Sequence, residues 1–167
     1  MGMIDFVKEA GEKLFGRGKA QAAAKEAATE PSNAAKVQAA NAAAADAILE
    51  YVKSQHLSAT GMTVTYDGAS STATVYGVAP DQATREKIVL CCGNVAGVAA
   101  VKDMMTVDQS APEAQWYTVV SGDTLSKISK QYYGDANKYT KIFEANKPML
   151  TSPDKIYPGQ KLRIPPQ

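Results

Sequence analysis

Between Met62 and Tyr76 the chain carries a two-residue period on both sides of an Asp67-Gly68 turn. Met62, Val64 and Tyr66 alternate with Thr63 and Thr65, and Thr72 to Tyr76 returns in residues that favour strands. This pattern demands a hairpin with one wet face, so an all-helical fold is excluded. The flanking segments have a different period. Val37, Ala44, Ile48, Tyr51 and Val52 fall on one helical face, with Gly61 expected to close that helix. After the hairpin, Pro80-Asp81 opens a second helix with Asp81 as its N-cap, and Gly93 stops it. Val98 to Val107 reads as a third strand. The expected order over residues 33–108 is αββαβ, with the helices on one face of the sheet.

A short Gln109-Ser110-Ala111-Pro112-Glu113-Ala114 linker, bounded at 109–115, sets off a second unit over residues 116–166. Trp116 to Val120 reads as a strand. Ser121-Gly122-Asp123-Thr124 is a turn opening a helix with Leu125, Ile128 and Tyr132, and Asp123 is its expected cap. A further helix carries Tyr139, Ile142 and Phe143. Tyr157-Pro158-Gly159-Gln160 has Pro and Gly where a type II turn needs them, before a last strand with Leu162 and Ile164. The order is βααβ. A chain of 167 residues has room for two such small units, and the fold class is α+β.

The remaining residues precede the hairpin unit. Residues 1–15 mix Asp5, Lys8, Glu9, Glu12 and Lys13 with apolar positions and are expected to form a helical segment packed on the first unit. They lack the unbroken apolar core of a secretory signal, and Phe6 spoils a myristoylation pattern. A cytoplasmic location is therefore expected. Residues 16–32 form an Ala-rich helical insert or linker, broken by Pro31. No run of 18 apolar residues exists to span a membrane. With 18 Lys/Arg against 17 Asp/Glu, charge gives no case for a nucleic-acid partner. The adjacent Cys91 and Cys92 are expected to be reduced and buried.

The chemistry-bearing residues are sparse. His56 is the only histidine, and the sequence has no nucleophile elbow, phosphate-binding glycine loop, calcium loop or His/Cys zinc cluster. An enzyme is not expected. Two segments have distinctive backbones. The helix after Asp81 ends at Cys91-Cys92-Gly93, leaving its last carbonyls without helical partners at the negative end of the dipole. Gly93-Asn94-Val95-Ala96-Gly97-Val98 follows, where two glycines permit unusual backbone angles. Phe6-Val7-Lys8-Glu9-Ala10-Gly11 can supply more carbonyls.

Two stretches carry resemblances. YTVVSGDTLSKISKQYYGD, IFEANKPML and IYPGQKLRIP resemble a LysM module from Tyr117 to Pro165. VTYDGASSTATVYGVA followed by GNVAGVAAVKDMMTV is similar to a BON domain. With MGMIDFVKEAGEKLFG in front, the arrangement resembles the bacterial potassium-binding Kbp family, BON followed by LysM. The resemblance implies a cytoplasmic ion sensor, expected to be a monomer, that holds K+ on main-chain carbonyls of Val7, Lys8, Ala10, Gly93, Val95 and Val98. It also implies that ion binding makes the BON and LysM units more compact. The LysM resemblance implies a different ligand, N-acetylglucosamine polymers or peptidoglycan. Their groove would involve Gly122, Asp123, Thr124, Leu125 and Met149 through Ile156. A third reading is a non-enzymatic adaptor, with Tyr132, Tyr133 and Tyr139 as an aromatic contact patch.

Overall fold

The computed structural model describes residues 3–5, 34–95 and 97–167. Four strands form the first sheet: β1 (Met3–Asp5), β2 (Thr60–Asp67), β3 (Thr72–Asp81) and β4 (Ala100–Gln109). Two helices belong with it, α1 (Ala34–Ser54) and α2 (Gln82–Gly93). The sheet order is β1-β4-β3-β2; β3 and β4 are parallel, and the other neighbours are antiparallel. The hairpin turn is built as its sequence suggests. Asp67 accepts bonds from Ala69 N and Ser70 Oγ, and Asn41 of α1 accepts from Gly68 N at 2.9 Å.

Alternation decides which face is buried. Val64 and Tyr66 of β2, Ala73 and Val75 of β3, and Val101 and Met105 of β4 point into one core. Ala44, Ala45, Ala47, Ile48 and Val52 of α1 and Ile88 to Cys92 of α2 close it from one side. Tyr76 on the other face stays exposed. The expected αββαβ order stands, with shifted boundaries. The first helix ends at Ser54, not at Gly61, which lies inside β2 beside a register shift. β3 runs on through Gly77 and Pro80 to Asp81. Gly77 has a φ of 139°, and a Cβ there would sit 3.1 Å from Met62 Cα, so only glycine lets the strands meet. Pro80 falls between the paired residues Ala79 and Asp81.

One expectation is corrected at the N-terminus. Met3–Asp5 is not helical; it pairs antiparallel with β4, Ile4 facing Val101. Ile4 packs on the core while its neighbours are exposed. The pairing covers main-chain groups that would otherwise be open along the edge of β4. The rest of the expected 1–15 helical segment and the whole 16–32 insert lie outside the described residues.

The second unit has β5 (Gln115–Thr118) antiparallel to β6 (Lys161–Ile164), with helices α3 (Leu125–Tyr133) and α4 (Tyr139–Ala145) between them. Its core is Val119, Leu125, Ile128, Tyr133, Ile142, Leu150, Leu162 and Ile164. Gly134 ends α3 in the left-handed conformation. The Tyr157–Gln160 turn closes with Gln160 N donating to Tyr157 O at 3.0 Å, Gly159 supplying a φ of 88°. The α3 cap is corrected from Asp123 to Thr124, which accepts from Lys127 N at 3.1 Å. Asp123 instead accepts from Val120 N and the Tyr117 hydroxyl, stapling the turn to β5.

The two units share an interior. Met149 and Trp116, from the second, pack against the core of the first. Glu86 of α2 bonds Arg163 Nε of β6 at 2.9 Å and Ala114 N of the linker at 2.8 Å. Both charged side chains are under 10% exposed, at 6% and 7%. Arg163 is itself held: Nη1 donates to Ala145 O, and the Asn146 amide clamps its backbone N–H and carbonyl. A buried ion pair with every partner in place docks one unit on the other. Among the described residues, no helix is long and apolar enough to cross a membrane.

Candidate functional site

The end of α2 and the loop after it carry Gly93, Val95 and Val98. The loop starts from a fixed helix: Asp81 caps α2 by accepting from Thr84 N at 2.7 Å. That bond holds the Asp81 carboxyl below its ordinary range. At the far end, Asn94 N donates to Leu90 O and Cys91 O, and Val95 N to Cys92 O. The helix ends at Gly93 as expected, with Asn94 as its C-cap. Val98 N returns to Val95 O at 3.1 Å, and Gly97 takes a φ of 95°.

Gly93, Val95 and Val98 are brought together here, all buried. Val95 O accepts the Val98 amide. Gly97 O is used differently: the buried Tyr66 hydroxyl donates to it at 2.8 Å. Asn94 is 3% exposed, and its side-chain Nδ2 has no hydrogen-bond partner among the described residues. Val7, Lys8 and Ala10 lie outside the described residues.

Cys91 and Cys92 precede the loop as free, buried thiols. Burial raises both, Cys92 to about 12, which leaves neither a ready nucleophile. No group of three or more His, Cys, Asp and Glu side chains suited to a metal occurs among the described residues.

The second unit has its own cleft, about 350 Å³, lined by Asp123, Thr124, Leu125, Ser126, Tyr139, Pro153, Asp154 and Ile156. Asp123, Thr124, Leu125 and Ile156 of the sequence-derived groove meet there. Gly122 stands at the adjoining turn with its carbonyl bonded to Lys127 Nζ. Met149 does not join them. It is buried in the core of the first unit, 3% exposed, because docking gives its apolar side chain a better-covered place than a solvent groove. The Asp123 carboxylate is committed to Tyr117, whose phenol it raises to about 12. The aromatic patch is likewise accounted for. Tyr133 is core, Tyr132 meets Tyr117 edge-on at 5.8 Å, and Tyr139 packs on the same cluster.

The BON domain family matches residues 40–109 and the LysM domain family residues 117–165. Over 169 aligned positions the chain is 46% identical to the potassium binding protein Kbp of Escherichia coli O6:H1, covering 99% of each chain. The chain belongs to the Kbp family. Shorter matches join it to an uncharacterized protein of Deinococcus radiodurans and to the uncharacterized protein YqbP of Bacillus subtilis. The first is 57% identical over 29% of this chain and 19% of that protein. The second is 41% identical over 34% of this chain and 29% of that protein. The Kbp match runs across both units and the segment before them. The α+β, BON-then-LysM reading of the sequence is therefore correct.

What sequence reasoning missed around the loop is Tyr66, Asn94 and β1. The alternation assigns Tyr66 only to a strand, since a bond spanning 31 positions leaves no periodic signal. A buried Asn inside a Gly-rich loop was the one visible hint for Asn94.

Proposed function

We propose that the chain is a cytoplasmic, monomeric potassium-binding protein, not an enzyme. The ion is held by main-chain carbonyls of Gly93, Val95 and Val98 together with those of Val7, Lys8 and Ala10. The observation that supports this best is the β1–β4 register. Asp5 lies opposite Ala100 on an antiparallel strand, so β1 runs in the direction of the Val98 side of Ala100. Val7 is two residues further on, within about 7 Å of Asp5 along the chain. The direction of β1 supports a site shared by the two segments. The name of the Escherichia coli relative agrees with this reading.

An ion shared by two segments stabilises only the form in which they meet, by mass action. It shifts shape only as far as its affinity differs between open and closed forms. Helix α2 carries Glu86 one way, to the LysM unit, and ends the other way in the loop. Ordering the loop by an ion firms the helix that docks LysM, which couples ion binding to compaction. The LysM cleft carries no comparable reading, since Asp123 and Thr124 are committed to local bonds and Met149 is elsewhere.

The test is thermal unfolding after exhaustive dialysis, in sodium against potassium at equal ionic strength. The midpoint is expected to rise by several degrees in potassium and not in added sodium. Equal midpoints, with no potassium retained after dialysis, overturn the reading.

A further inference from the structure

Resting on that reading, we infer that the Tyr66 hydroxyl is a positioning group for the ion site: by holding Gly97 O it fixes the size of the carbonyl loop. The geometry is specific. Tyr66 lies on β2, on the strand face that packs under the helices, and its ring belongs to the main core. Its hydroxyl crosses to the loop and meets Gly97 O at 2.8 Å in a buried setting. Burial raises its phenol above the ordinary value, so the group stays a donor at any physiological pH.

The bond has two consequences. It engages one loop carbonyl that a cation would otherwise recruit, which limits the ligand set the loop offers. It also anchors the peptide between the Val95 and Val98 carbonyls to a rigid strand, because Gly97 alone has the conformational freedom to swing. A carbonyl site selects among ions through the number and placement of its dipoles. A loop pinned to a sheet keeps that placement, whereas a loose loop adapts to ions of different radius.

Tyr66→Phe keeps the ring in the core and removes the hydroxyl, with its bond to Gly97 O and its contact with Ser71. Potassium and caesium titrations of the full chain, by calorimetry, are compared with wild type and with Tyr133→Phe. Tyr133 is a matched control, because its hydroxyl bonds Pro165 O within the LysM unit, away from the loop. Thermal melts confirm that each variant folds. In Tyr66→Phe the potassium affinity is expected to fall about fivefold, the weight of one hydrogen bond. The potassium-to-caesium affinity ratio is expected to move toward one. Tyr133→Phe lowers the melting point and leaves both affinities as in wild type. Unchanged affinities and ratio in Tyr66→Phe overturn the inference, as does an equal loss for both ions, which marks a structural bond only. Wild-type protein that binds neither ion overturns the underlying potassium reading instead.

Discussion

Replacing Arg163 with methionine is expected to destabilise the chain by about 3–5 kcal/mol, the cost of leaving a buried charge without its partner. Glu86 and Arg163 are both shielded from water, their contact is 2.9 Å, and they join residues 77 positions apart. Methionine fills the space but supplies no counter-charge, so the Glu86 carboxylate retains Ala114 N as its remaining donor. Urea unfolding measures the loss. Adding Glu86→Gln to Arg163→Met removes the charge while keeping an acceptor for Ala114 N. The double variant is expected to recover most of the deficit. A single-variant loss below about 1 kcal/mol, the range of exposed pairs, would show that the pair is solvated and does not dock the two units.

Gly97→Val is expected to have the largest effect on the ion. At a φ of 95° a β-branched residue is strained, by about 1–3 kcal/mol. The loop escapes that strain by turning the peptide, which moves the Val95 and Val98 carbonyls and breaks the Tyr66 bond. Potassium affinity should drop tenfold or more, while the fold remains, because the core residues of the sheet and α1 are untouched. Calorimetric titration of the folded variant gives the number. Wild-type affinity in that variant would remove Gly93, Val95 and Val98 from the site.

These two positions also show where a sequence speaks and where it is silent. Gly97 is legible: a second glycine four residues after a helix-ending one announces unusual backbone angles. Asp81 is legible because a helix needs a cap, and the hairpin because alternation has a period. Met3–Asp5 is not, since three residues carry no period and their strand conformation comes from the open edge of β4. The LysM resemblance implies Met149 in a groove because it lies in the last helix–strand loop; only the docked BON core explains its burial. Asp123 and Thr124 are both competent caps, and the Tyr117 hydroxyl drew the carboxylate away. The Glu86–Arg163 pair has no local signature at all, because it forms only when two independently patterned units meet.

The central claim is that main-chain carbonyls of the loop after α2 hold the ion. Rubidium is a large monovalent cation with an anomalous X-ray signal, so crystals grown with rubidium in place of potassium locate the site directly. One strong anomalous peak is expected, ringed by the carbonyl oxygens of Gly93, Val95 and Val98 and by those of Val7, Lys8 and Ala10. A peak elsewhere on the chain, or a loop with no peak in protein that binds potassium in solution, would contradict it.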